Sequence, residues 1–448
     1  MIFPASTSFK QLFKLSLPII AMQFSQMAMG IADTIMSGHA SLEDLAAVAI
    51  GASIWLPIFL FIAGVLTAVT ATVAHLFGEQ KPECIGHVIR QSSWIALTLG
   101  LLSLVVLQNI AFILEFMQVQ QTIHTIIVDY LFAISWGFVG IALFLLLRYL
   151  NEGLANTVPI MIVGFIGLLI NILLNYIFIF GHLGFPAMGG VGAGWATTIT
   201  DWLMVFMLLF YIHKSSFFKH ISLFVNDFKM DKSELRSLFK LGLPIGIAFF
   251  VEGSIFSVIA LFIASLGTMV VASHQIALNI SSLLFMIPLS FSLAITILVG
   301  QARGRKDHEQ LIDTLKAGYI TTFIQAVFVA TFIVIMAKQI TQLYTENTAV
   351  IQLASQLMIF AAFYQLSDAI QLCSAGALRG LKDTTIPMIF SIISFWGIGF
   401  PFGYVLALTD FIVPAMGASG FWIGLIIGLS LSAVLLTSRV YIQLKKGS

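Results

Sequence analysis

The sequence predicts an all-α integral membrane protein, with twelve transmembrane helices in two homologous six-helix halves related by a pseudo-twofold axis along the membrane normal. Three observations carry that prediction. Of 448 residues, 59% are hydrophobic and only 9% charged, with a mean hydropathy of +1.03; soluble domains carry roughly 25% charged residues. Apolar runs long enough to cross about 30 Å of hydrocarbon recur along the whole chain. A phrase near the start, LFKLSLPI at Leu12–Ile19, returns as LFKLGLPI at Leu238–Ile245. In lipid a spanning segment must satisfy its own backbone polar groups, so each run is read as a helix.

The runs lie near residues 12–37, 45–76, 93–115, 122–147, 158–181, 190–213, 239–265, 270–300, 316–338, 348–376, 385–409 and 415–440. The first follows basic residues, yet it is too long for a signal-peptide core and lacks a small-residue cleavage pattern, so a retained span is expected. Lysines and arginines test the count, because they gather in cytoplasmic loops. With a cytoplasmic N-terminus those loops follow the even-numbered spans. Lys81 and Arg90 follow the second, Arg148 the fourth, and Lys214, Lys219, Lys229, Lys232, Arg236 and Lys240 the sixth. Arg303, Arg305, Lys306 and Lys316 follow the eighth, Arg379 and Lys382 the tenth, and Arg439, Lys445 and Lys446 end the chain. Only Lys338 falls on the other side. Both termini are therefore expected in the cytoplasm.

The repeat extends well past its first phrase. At the same offset of 226, Ile50 meets Ile276, Thr70 meets Thr296, Val73 meets Val299 and Gly78 meets Gly304. GLANTVPIM from Gly153 then resembles GLKDTTIPM from Gly380 with one residue inserted, and GAGW at Gly192 resembles GASGFW at Gly417. The expected organisation is an N-terminal half over 1–213, a cytoplasmic connector over 214–237 and a C-terminal half over 238–448. Six spans per half make both halves insert the same way, and such repeats commonly enclose a substrate site.

A formal net charge of +1 points to no nucleic-acid or acidic macromolecular partner. Cys84 and Cys373 offer neither metal-ligand spacing nor a disulfide framework. No Walker loop, GxSxG, HExxH or selectivity-filter-like phrase occurs, so neither an ATP-driven pump, an enzyme nor a cofactor is expected. Transport, if that is the task, draws on an ion gradient or is passive.

An acid at the centre of a spanning helix costs about 2.5–3.5 kcal/mol on insertion scales, so its default reading is functional. The candidates are Asp33, Asp129, Asp201, Glu252 and Asp368, while Glu115 reads as a solvated helix end. Asp368 shares a helix face with Tyr364 and Gln371, four residues before and three after. A helix–helix hydrogen-bond cluster is the alternative, but it would work as well with Asn. Glu252 stands where the first half has Gln26, so the halves match in frame and differ in charge. Asp33 reads equally well as a cap at its helix end. Asn171 and Asn175, four apart, suit hydrogen bonding to a carboxylate across a helix interface or simple interhelical bonding. Thr197 and Asp201 are also four apart. Gln275, Asn279 and Ser282 make a polar stripe, His75 and His274 are candidates for a proton path or for structural histidines, and Phe249 and Phe256 beside Glu252 are suited to holding flat cations.

Taken together, LFKLxLPI, SHQIALNISSLLFMIPLS (Ser273–Ser290), VGQARG (Val299–Gly304), YQLSDAIQ (Tyr364–Gln371) and GALRGLKDTTIPM (Gly376–Met388) resemble the NorM-like branch of the multidrug and toxic compound extrusion (MATE) family over nearly the whole chain. The resemblance implies a monomeric, cation-coupled antiporter of the bacterial inner membrane that exports cationic or amphipathic drugs. Examples are fluoroquinolones, ethidium and acriflavine. It implies a coupling-cation site of Glu252 and Asp368 with Tyr364 nearby, able to take a proton or a sodium ion. It places the family's first-span acid on Asp33, with Asn171, Asn175 and Thr197 as the polar residues grouped with it. The alternative is a flippase for a lipid-linked precursor, from the same broad superfamily; it would need a basic cavity, whereas nearly all lysines and arginines read as lying at the cytoplasmic edge.

Overall fold

A computed structural model of the protein describes residues 6–110, 121–223 and 229–447. Among these residues there are fourteen α-helices and no strand. They are α1 (Ser6–Ala40), α2 (Leu42–Gly78), α3 (Pro82–Gln108), α4 (Gln121–Ser135), α5 (Gly137–Gly153), α6 (Val158–Phe180), α7 (Gly190–Lys214), α8 (Lys232–Ala264), α9 (Thr268–Gly304), α10 (His308–Gln342), α11 (Thr348–Gly380), α12 (Thr385–Ile392), α13 (Phe400–Leu408) and α14 (Ala418–Gly447). Eleven helical stretches are long and apolar enough to cross a membrane, with Thr385–Leu408 counted as one, and the bent pair α4–α5 makes a twelfth. Several helices run beyond the apolar windows: α3 begins at Pro82, a proline suited to the first helical position, and α10 at His308, where the polar first turn is capped. Asp307 accepts from the Gln310 N–H at 2.9 Å at the start of α10, and Asn347 accepts from Ala349 and Val350 at the start of α11. Glu115 lies outside the described residues.

The backbone carries the repeat independently of the side chains. Outside glycine, a positive φ occurs at Gln80 (59°) and Lys306 (58°), and again at Ala155 (59°) and Lys382 (61°). The first pair stands at the repeat offset and the second one residue further apart, past the inserted residue. In all four the next N–H reaches back to the fifth carbonyl before it: Lys81 to Leu76, Asp307 to Ala302, Asn156 to Asn151 and Asp383 to Leu378. These are Schellman closures, which tie off the last carbonyls of a helix through a left-handed residue.

The chain forms two compact bodies, Pro18–Gly246 and Met1–Leu17 with Ile247–Ser448. The first therefore includes the opening turns of α8, which lie close on α2: a Cβ on Gly64 would stand 2.6 Å from the Gly246 Cα. Small residues at such crossings let backbones approach in place of a hydrophobic driving force, which lipid does not supply. Tyr130, Phe144, Ile85 and Leu107 fill this body's core. The second body includes the opening turn of α1, where Phe13 meets Phe291 edge to face at 5.6 Å. Its core gathers Ile255, Ile259, Phe421, Trp422 and Leu425.

In the second body α9 and α11 pack closely, with Gly376 lying under the Ser292 carbonyl. Ser292 Oγ donates to the Leu372 carbonyl and Thr296 Oγ1 to the Gly376 carbonyl at 2.9 Å. The span between α12 and α13 is a π-helix over Ile393–Gly399, in which the Phe400 N–H reaches Phe395 O. Pro401 explains the widened turn. It has no N–H to donate, and its ring would collide with the carbonyl four residues before it in a regular α-helix.

Candidate functional site: two buried carboxylate clusters

The first cluster lies in the body built from α8–α14. Glu252 sits within the apolar part of α8, eight residues after Pro244 and between phenylalanines. Its Oε1 accepts from Gln371 Nε2 at 3.0 Å and from Ser391 Oγ at 3.0 Å, so α11 and α12 both hold it. Asp368, 2% exposed, lies on the same face of α11 as Gln371, and its Oδ2 is buried without a hydrogen-bond partner. An unsatisfied buried carboxylate oxygen costs free energy unless a proton or cation meets it. The cluster thus leaves one buried carboxylate oxygen unmatched.

Aromatic rings wall it. Tyr364 meets Phe256 edge to face at 6.2 Å and Trp422 at 6.1 Å, and Trp422 Nε1 donates to His274 Nδ1 at 3.3 Å. His274 therefore belongs to the wall, joined to Tyr364 through Trp422. Trp396 Nε1 donates to Val251 O at 3.2 Å, tying the π-helical span to α8 one residue before Glu252. Phe249 lies one turn before Glu252, beneath the Arg379 guanidinium at 5.7 Å.

The second cluster lies in the other body. Asp33 is buried on α1, which continues to Ala40, so Asp33 stands well inside the helix rather than capping its end. Its Oδ1 accepts from Asn175 Nδ2 at 2.6 Å and its Oδ2 from Thr197 Oγ1 at 2.7 Å. Asn171 completes the network, donating to Thr197 Oγ1 at 3.2 Å and accepting from Asn175 at 3.1 Å. Asp33 thus has both oxygens satisfied where Asp368 has an orphan.

Other candidates lie apart from these clusters. Gln275 and Asn279 are exposed on α9 and bond each other at 3.1 Å. Asp129 is exposed on α4, and His75 pairs with Glu79 at 3.2 Å near the end of α2. Asp201 is buried one turn after Thr197 on α7, beside Gly137. Sequence reasoning missed Ser391, a hydroxyl in an apolar run that only the fold brings to Glu252. It also placed Arg148 and Arg379 in loops following their spans. Both are buried within helices: Arg148 Nε bonds Glu152 Oε1 at 2.7 Å, and Arg379 Nη2 bonds Ser292 Oγ at 2.7 Å.

Acids held within the helices of a repeated, membrane-spanning fold define a polytopic membrane protein of the transporter type. The chain belongs to the MATE family: the MatE family model matches it twice, over residues 18–177 and 244–405. The two matches start 226 residues apart, the offset of the internal repeat. It is 43% identical over 435 residues to a "Probable multidrug resistance protein NorM" of Shewanella oneidensis, covering 97% of this chain and 95% of that one. It is also 43% identical over 432 residues to "Multidrug resistance protein MdtK" of Yersinia pseudotuberculosis, covering 96% and 94%. Among solved structures, an outward-facing multidrug resistance MATE transporter of the MOP superfamily matches with a TM-score of 0.88 at 21% identity, covering 98% and 96%. The eukaryotic MATE transporter AtDTX14 matches at 0.86 and 21%, covering 98% of each chain.

Proposed function

We propose that the protein is a multidrug efflux antiporter of the bacterial inner membrane, with both termini cytoplasmic. It exports cationic and amphipathic drugs, such as fluoroquinolones, ethidium and acriflavine, in exchange for H⁺ or Na⁺ by alternating access. The observation that carries this reading is the half-buried Glu252, bonded through Gln371 to the helix that carries the buried Asp368 with its unpartnered Oδ2, in a chain whose near full-length relatives are named for multidrug resistance. A buried carboxylate favours any bound positive charge, whether proton, sodium or organic cation. Cation and drug then need only differ in their affinity for two conformations to drive each other across.

A charge crossing 100 mV gains about 2.3 kcal/mol, equivalent to a concentration ratio of several tens. Tyr364 and Phe256, edge to face beside the acids, supply ring faces for flat cations. Asp33 with Asn171, Asn175 and Thr197 supplies a second polar anchor in the other body.

The test is ethidium efflux from energised everted vesicles, with Asp368→Asn and Glu252→Gln compared at equal protein in the membrane. Both variants should lose efflux; normal efflux by both would overturn the coupling role. Proteoliposomes with separately imposed pH and sodium gradients identify the ion.

A further inference from the structure

The repeat allows the two bodies to be compared position by position, and the comparison isolates one residue. Offset by 226, Gln23 and Gln26 of α1 correspond to Phe249 and Glu252 of α8. In the first body a buried arginine grips that pair: Arg148 Nη1 bonds Gln26 Oε1 at 2.8 Å and Nη2 bonds Gln23 Oε1 at 2.9 Å. In the second body a buried arginine again attends the pair, Arg379 lying 5.7 Å from the Phe249 ring centre, one helical turn from Glu252. The two arginines are not equivalent in sequence. Past the single insertion, Arg379 corresponds to Glu152 and Arg148 to Ala375.

Arginine and glutamate have thus been permuted among the same few positions. In the first body the acid stands on the arginine's own helix, four residues on, and the group is neutral. In the second the acid has moved to α8, and Asp368 has been added where the first half has Ile141. Counting charges, the second group contains two carboxylates and one guanidinium. Charges removed from water are tolerated when paired.

We propose that Arg379 is the fixed counter-charge of the coupling site, neutralising Glu252 so that the site carries one net negative charge and takes up one monovalent cation at Asp368. This rests on the antiport reading above and gives it a stoichiometry at this site. A purely structural Arg379, tying α11 to Ser292 of α9, would leave the cation count untouched.

The experiment counts cations moved per ethidium in proteoliposomes, following ²²Na⁺ and internal pH together. Arg379→Gln should move one more cation per ethidium than wild type, and Arg379→Lys should keep the wild-type ratio. Glu252→Gln, whose site would be neutral, should lose coupled transport, and adding Arg379→Gln to it should restore a single uncompensated acid and raise coupled efflux at least about fivefold over Glu252→Gln alone. Arg379→Gln with an unchanged ratio, or a double variant no better than Glu252→Gln, overturns the counter-charge. Should the Arg379 variants fail to reach the membrane, Glu252→Gln decides alone, since retention of the wild-type cation ratio there also overturns it. Wild-type protein that moves ethidium with neither cation would instead overturn the antiport reading, and this inference with it.

Discussion

Gln371 on α11 donates to the Glu252 carboxylate on α8 at 3.0 Å, and that same Oε1 also accepts from Ser391 at 3.0 Å. Hydrogen bonds to a charged group contribute about 1.5–3 kcal/mol each. Gln371→Ala or Ser391→Ala should therefore change the sodium or proton concentration that half-saturates ethidium efflux by about tenfold or more. Ser391→Thr, which keeps the hydroxyl, should stay near wild type. An unaltered half-saturation in both alanine variants would show that neither donor orients Glu252 for its cation.

The Arg148–Glu152 pair is almost fully buried, and one Glu152 oxygen has no hydrogen-bond partner. Removing one member strands the other, at about 3–5 kcal/mol, whereas replacing both with apolar residues is far better tolerated. Glu152→Gln should lower the melting temperature of the detergent-purified protein markedly. Arg148→Met with Glu152→Leu should recover most of the loss.

Gly376 lies under the Ser292 carbonyl, where any Cβ would collide with backbone. Gly376→Val should separate α9 from α11 at about 1–3 kcal/mol, visible as a lower melting temperature and reduced membrane levels. Gly30→Ala, with nothing within 4 Å of the added carbon, should be neutral by the same measure.

Asp231, before α8 and outside the spans, accepts from the Glu234 and Ser233 N–H groups and pairs with His87 at 3.3 Å. These backbone donors, then His87, hold its carboxyl below the usual 3.8. Because the folded-state value is the lower one, the stabilisation is present in full above 3.8 and is lost as pH falls through the folded value. Asp231→Asn should therefore destabilise equally at pH values of about 5 and 7, with the difference from wild type vanishing below the folded value. A difference that persists into strong acid would exclude the carboxylate as its source.

How far these features could be read beforehand depended on the kind of signal. Span number and the repeat were legible because the bilayer forces long apolar runs and duplication leaves phrases in register. The π-helical span, in contrast, announces itself only through Gly397, Gly399 and Pro401, residues equally at home in an ordinary kink. Asp368 and Glu252 stood out as acids in apolar runs. Ser391 did not, since a serine is cheap in a membrane helix and its partner is 139 residues away in sequence. Arg148 and Arg379 were mistaken for loop charges because they lie at the ends of apolar windows, where positive-inside bias also puts arginines.

The widened turn at Ile393–Gly399 also sets a phase. Relative to an α-helix it accommodates an extra residue, and one residue is worth roughly 100° of rotation about the axis. Were the span regular, Ser391 and Pro401 could not keep their present bearings together, and one of them would swing to another side. The hydroxyl that meets Glu252 is aimed by a local miscount in the winding of its helix, so a one-residue deletion between Ile393 and Gly399 would turn it away without touching a single ligand.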